Sequence, residues 1–192
     1  LDISGFAANL EFMWHWGKTM GDIVTLEGMY TTGDDDPNDA EYSGPWTMNY
    51  YGLPGAVWFN HKTLLLMPFT RTVSNYTGAV TDISNQGYGL ATAILTAQHD
   101  LIPDQLHLKL GAAWGAATAD TAVRDRETDE IVVDRGRQLG IEVNAELEYS
   151  FRYLMSVGLH VGYLARGDFY DDNPQITEDP WAAFTTFTWY GF

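Results

Sequence analysis

Between Gln138 and Arg152 the carboxylates fall at a spacing that decides what chemistry is open to them. Gln138, Glu142, Asn144, Glu146, Glu148, Ser150 and Arg152 occupy alternate positions, and Leu139, Ile141, Val143, Ala145, Leu147, Tyr149 and Phe151 fill the ones between. Under the two-residue repeat of extended chain, this is one charged face and one apolar face. Similar polar faces recur elsewhere, with Asn9, Glu11 and His15, Thr25 and Glu27, Gln105, His107 and Lys109, and His160 and Arg166. If wet, such a wall draws cations or neutral polar solutes along its carboxylates. If Glu142, Glu146 and Glu148 instead pair with Lys or Arg of neighbouring strands, the same face fills itself. The residues leave both readings open.

Two other chemistries have the right residue types but the wrong surroundings. His107 or His160 with Ser150 or Ser156 makes the raw material of a hydrolase, yet no nucleophile motif surrounds either serine. The chain is therefore expected not to be an enzyme. Glu11, His15 and His107 are metal-binding types without ligand spacing. The stretch TTGDDDPNDAEYSGPW sets Asp34, Asp35, Asp36 and Asp39 close together with the oxygen density of a calcium site. It matches no strict calcium-loop pattern, and a solvated acidic loop is the competing reading. No other cofactor is expected.

Composition narrows the partners. A net charge of −16 with ten Lys plus Arg argues against nucleic acid, which needs clustered cations. The absence of cysteine removes disulfides, thiolate metal sites and thiol nucleophiles. No apolar run of about 18 residues occurs, so a helical membrane span is not expected, whereas strands that alternate are still able to cross. No signal peptide is present at Leu1, so export requires one that has been removed or lies upstream.

The elements that position these residues read as strands. Ile3 to Trp16 alternates, with Phe6, Ala8, Leu10, Phe12, Trp14 and Trp16 on its apolar side. Ile23 to Thr32 follows, with Val24, Leu26 and Tyr30 opposite Thr25, Glu27 and Thr31. A long excursion then runs from about 33 to 85. Within it, Trp58 to Val73 has no clean period and reads equally as a hairpin, a short helix or an inward plug. Gly87 to His99 is expected to put Tyr88, Leu90 and Ile94 on one face, against small Gly89, Ala91 and Ala93. Leu106 to Ala116, Gln138 to Arg152 and Tyr153 to Arg166 are further strands, and Trp181 to Phe192 closes the chain.

Connections alternate in length. Gly17–Asp22, Asp100–Asp104 and the turn at Phe151–Arg152 are short, while the excursion, Ala119–Gly136 and Gly167–Pro180 are long. Rings gather near strand ends, at Trp14, Trp16, Tyr30, Trp114, Tyr149, Phe151, Tyr153, Trp181, Trp189 and Tyr190. Amphipathic rings favour a lipid–water boundary.

The ending WAAFTTFTWYGF, uncharged and aromatic-rich, resembles the closing strand of bacterial outer-membrane β-barrels. The resemblance implies an all-β antiparallel transmembrane barrel in the bacterial outer membrane, spanning residues 1–192, with short periplasmic turns and longer extracellular loops. It also implies that Tyr190 and Phe192 belong to a signal read by the outer-membrane assembly machinery. About seven strands are visible. If the first runs inward from outside, seven cannot complete a barrel of even strand number, and at least one further strand is expected upstream. The acidic loop, the excursion and WYGF also resemble the C-terminal part of alginate-export-type porins, although this inner face is acid-rich where polyanion exporters have basic lumens.

On that reading Glu11, His15, Glu27, His107, Lys109, Glu142, Asn144, Glu146, Glu148, Arg152, His160 and Arg166 line a lumen, and the apolar stripe meets the bilayer. The expected function is a porin-like channel passing small polar solutes or exporting a polar substrate. The alternatives are a plugged or sleeve-like barrel holding a partner protein in the same membrane, and a soluble β-barrel binder.

Overall fold

The computed structural model describes residues 2–35, 40–45, 63–67, 87–120, 123–124, 128, 131–133, 136–171 and 177–190. Its strands are β1 (Asp2–Ile3), β2 (Ala7–His15), β3 (Ile23–Thr31), β4 (Glu41–Tyr42), β5 (Ala91–Ile102) and β6 (Leu106–Ala116), followed by β7 (Val123–Arg124), β8 (Ile131–Val133), β9 (Gln138–Arg152), β10 (Met155–Arg166) and β11 (Trp181–Trp189). Alternating side chains rich in β-branched and aromatic residues favour this extended form. Seven of the strands make one sheet in the order β11-β10-β9-β6-β5-β3-β2. Every pairing within it is antiparallel. The protein is thus all-β around a single meander.

Because successive long strands are neighbours, all short turns fall at one end of the sheet and all long connections at the other. β2 and β11 are its edges, and among the described residues no further strand pairs with either, so the sheet is open. β1 pairs with β4 in parallel, and β7 with β8 as a small hairpin inside what reads from sequence as a plain charged loop. Gly167–Pro180 likewise contains a 3-10 turn, Asp168–Tyr170.

Register fixes which side chains share a face. One row across the sheet runs Phe12, Leu26, Leu95, Ala112, Val143, Tyr163 and Trp181. This face lies bare, with Leu10 78% exposed, Phe12 67% and Trp181 73%. A row on the other face runs His15, Ile23, Gln98, Lys109, Glu146, His160 and Phe184. Burial follows this second face alone.

The core lies on that same second face, towards the long connections. Leu66 and Met67, from the excursion, pack with Met29, Leu90, Ile94, Ala113, Leu139 and Leu164. Leu90 and Ile94 share the covered face, opposite Ala93 and Leu95, and Leu164 lies on the covered face too. One residue departs from the sequence reading. Leu139, expected outside with Ile141, is buried because the β6–β9 register slips between Gly115 and Ala116, next to Gly140 at φ +133°. The face expected to be uniformly polar is therefore apolar at the long-connection end and polar at the short-turn end.

Candidate functional site

The boundary between these two zones is Glu142. It sits fully buried in the row Glu11, Glu27, Ile94, Ala113, Glu142 and Leu164, with Ala113 and Leu164 as its cross-strand neighbours. Its partners come from the excursion. Thr63–Met67 folds into a closed turn in which the Thr63 N–H donates to the Met67 carbonyl at 3.3 Å and the Met67 N–H donates to Thr63 Oγ1 at 2.6 Å. The N–H groups between are thereby turned to one side. Leu64 donates to Glu142 Oε1 at 2.7 Å, and Leu65 and Leu66 donate to Oε2 at 3.0 and 2.5 Å. Asn144 Nδ2 adds a fourth donor at 2.8 Å.

Successive backbone N–H groups converging on one anion form a nest. A buried carboxylate is tolerated where such donors replace water. Gly115 and Gly162 give the turn its room: a Cβ on Gly162 would lie 3.3 Å from Leu64 Cβ, and one on Gly115 would lie 3.2 Å from a Leu66 methyl. Within the excursion, then, Thr63–Met67 packs inward, while the rest of Trp58–Val73 lies outside the described residues. Glu142, expected to be wet or paired with a basic side chain, is instead enclosed by backbone donors.

Nearer the short turns the face stays polar. Glu146 accepts from Lys109 Nζ at 2.6 Å and contacts His160 Nδ1 at 2.7 Å, while His160 Nε2 lies 3.0 Å from Thr186 Oγ1. Phe184 stacks on the His160 ring with centroids 4.7 Å apart. For Glu146 this is the pairing with a lysine of the neighbouring strand that the sequence leaves open beside a wet wall. His107 is held by Asp100 at 2.7 Å and Gln98 at 3.2 Å. Neither histidine bonds Ser150 or Ser156. Glu148 and Arg152 are exposed and, with Gln105, Ser150, Ser156 and Tyr190, line a cavity of about 470 Å³ at the short-turn end.

The remaining predicted residues are scattered. Glu11 and His15 stand exposed on edge strand β2, with β3 and β5 between them and His107. Glu27 is buried and accepts from Asn9 Nδ2 at 3.0 Å. Arg166 donates to Asp171 at 3.0 Å. Asp35 accepts the Asp120 N–H at 2.6 Å; Asp36 and Asp39 lie outside the described residues, as does Phe192. Among the described residues no three acidic or histidine side chains cluster as metal ligands. The Tyr190 N–H donates to the Leu154 carbonyl at 3.1 Å, just beyond the end of β11.

One pair escapes the sequence reading altogether. Asp22, 4% exposed at the end of the first short turn, accepts from the Lys18 and Thr19 N–H groups at 2.8 and 3.0 Å, and from the Asp100 N–H at 3.2 Å. It also contacts His99 Nδ1 at 2.6 Å. The Thr19 N–H above all, with His99 and the other backbone donors, holds the Asp22 carboxyl well below the usual carboxylate range. Its only sequence signal is an aspartate ending a turn, which is commonplace.

Among the described residues no helix is long and apolar enough to cross a membrane. Comparisons with protein-family models, curated proteins and solved structures found no match to the chain. The fold and site define a class no finer than an all-β protein with one seven-stranded antiparallel sheet.

Proposed function

We propose that the chain is the C-terminal part of a bacterial outer-membrane β-barrel that passes small polar solutes or exports a polar substrate, its lumen narrowed by the Thr63–Met67 turn. The observation that carries this reading is the opposite solvent preference of the two faces of one sheet. Leu10, Phe12, Leu26, Leu95, Val143, Leu159, Trp181 and Phe187 are all exposed on one side, while Glu142, Asn144, Glu146, Lys109 and His160 lie on the other. Soluble proteins seldom leave contiguous apolar patches beyond a few hundred Å² uncovered. Hydrocarbon removes that penalty. The unpaired edges of β2 and β11 would meet further strands of the barrel, and the terminal aromatic segment would serve its assembly. The acid-rich polar side favours cations and neutral solutes.

The burial of Thr63–Met67 favours a second reading, a plugged or sleeve-like barrel that scaffolds a partner in the same membrane. Planar-bilayer recording on the detergent-purified, full-length protein separates the two. Stepwise conductance with cation preference supports the channel; an electrically silent but inserted barrel supports the plug. Extraction into buffer without detergent removes both.

A further inference from the structure

On the bare face at the short-turn end, the sheet carries an apolar groove of about 400 Å³ that the channel reading leaves unused. Ala97 forms its floor, between Trp14 of β2 with Trp16 just past the strand's end on one side and Leu108 and Leu110 of β6 on the other. His99 lines its end and contacts Trp16, with ring centroids 5.0 Å apart. Behind His99 is Asp22, whose oxygens are already occupied by three backbone N–H groups and by His99 Nδ1. The Asp22 carboxylate accepts from Nδ1, so in the neutral ring Nε2 is the acceptor, and 44% of the side chain is exposed. Lys18, exposed on the same turn, gives its backbone N–H to Asp22 and carries the turn's positive charge.

We propose that this groove is a specific site for a phospholipid whose headgroup ends in a primary ammonium. An acyl chain lies over Ala97, the ammonium donates to His99 Nε2 within the field of ionised Asp22, and the phosphate faces Lys18. A groove alone binds any acyl chain; the Asp22–His99 rim adds the discrimination. Quaternary ammonium heads have no N–H to give, and glycerol heads bring no cation to the Asp22 carboxylate. The site rests on the membrane reading, because a bare apolar face in water offers no lipid to bind.

The test is native mass spectrometry of the full-length protein, detergent-purified and exchanged into mixed phosphatidylethanolamine, phosphatidylcholine and phosphatidylglycerol. The wild type should retain one phosphatidylethanolamine at least about fivefold over either competitor. Ala97→Phe, which fills the floor, should lose retention of all three, and His99→Phe, which keeps a ring against Trp16, should retain lipid without headgroup preference. Ala145→Phe, elsewhere on the same face, should behave as wild type. Circular dichroism of each variant shows whether the sheet has formed. Equal retention of the three lipids by the wild type, or unchanged retention in Ala97→Phe, overturns the site while the barrel stands. A wild-type protein that needs no detergent overturns both.

Discussion

The backbone N–H of Leu66 donates to Oε2 of Glu142 at 2.5 Å, joining positions 76 apart in the sequence. With Leu64 and Leu65 beside it, this contact ties the excursion to the middle of the sheet. Glu142→Gln keeps the shape but sets an amide N–H₂ among N–H donors. An unsatisfied buried donor costs about 1–3 kcal/mol. Hydrogen exchange at Leu64, Leu65 and Leu66 is therefore expected to quicken about tenfold or more, while exchange in β9 and β10 is little changed. Equal protection in both proteins would show that the apolar packing of Leu66 and Met67 holds the turn by itself.

Gly162 reports on the same turn from the strand side. A Cβ there lies in tight contact with Leu64, so Gly162→Val should displace Thr63–Met67 and destabilise the fold by about 1–3 kcal/mol, the usual cost of overpacking. In bilayers the variant should conduct more than the wild type if the turn narrows a pore. Thermal unfolding and single-channel recording check the two halves of this expectation separately.

How much of this was legible in the sequence follows from which forces act locally. The alternation from Gln138 to Arg152 is a two-residue pattern imposed by solvent on each side, and the short and long connections are written in residue counts, so strands and their order are readable. The split of Leu90 and Ile94 from Ala91 and Ala93 is legible in the two-residue spacing, but which side is covered is not; only the row shared with Glu27 and Ala113 settles the face. Leu139 was missed because a register slip beside a positive-φ glycine is a pairing event. Glu142 could be placed on its face, but its backbone partners lie 76 to 78 residues away in an aperiodic stretch. Glycines at 115 and 162 signal a close approach without saying by what.

Asp22 carries a pH dependence. Its carboxyl is held below the usual range in the folded state by the Thr19 N–H, His99 and further backbone donors, so the unfolded chain binds the proton more tightly. Stability from Asp22 is then fully present above the ordinary carboxylate range, about pH 5 and higher, and is lost as pH falls through the depressed folded value. Asp22→Asn should be less stable than wild type at neutral pH, and the gap should narrow only below about pH 4. Denaturant unfolding of both proteins across pH measures it. A gap that widens in acid would reverse the assigned sign.

Lys109, Glu146 and His160 form one network, so their effects should not add. A double-mutant cycle with Lys109→Met and Glu146→Gln is expected to show coupling of about 0.5–3 kcal/mol, as for groups sharing partners. The reference pair Lys18→Met and Glu148→Gln, on separate elements with no contact, should add within about 0.5 kcal/mol. Additivity in the Lys109 cycle would reduce the 2.6 Å contact to a surface pair of little worth.

The most direct measurement asks which face touches acyl chains. Because the sequence has no cysteine, single cysteines at Leu159 and Val161 on the bare face, and at Glu148 on the polar one, report without background after reconstitution into vesicles. A fluorophore at Leu159 or Val161 should be quenched by a lipid-borne quencher and shielded from an aqueous one, and at Glu148 the preference should reverse. Aqueous quenching at Leu159 and Val161, with lipid quenching at Glu148 or none anywhere, would contradict a membrane-spanning sheet whose apolar side faces the bilayer.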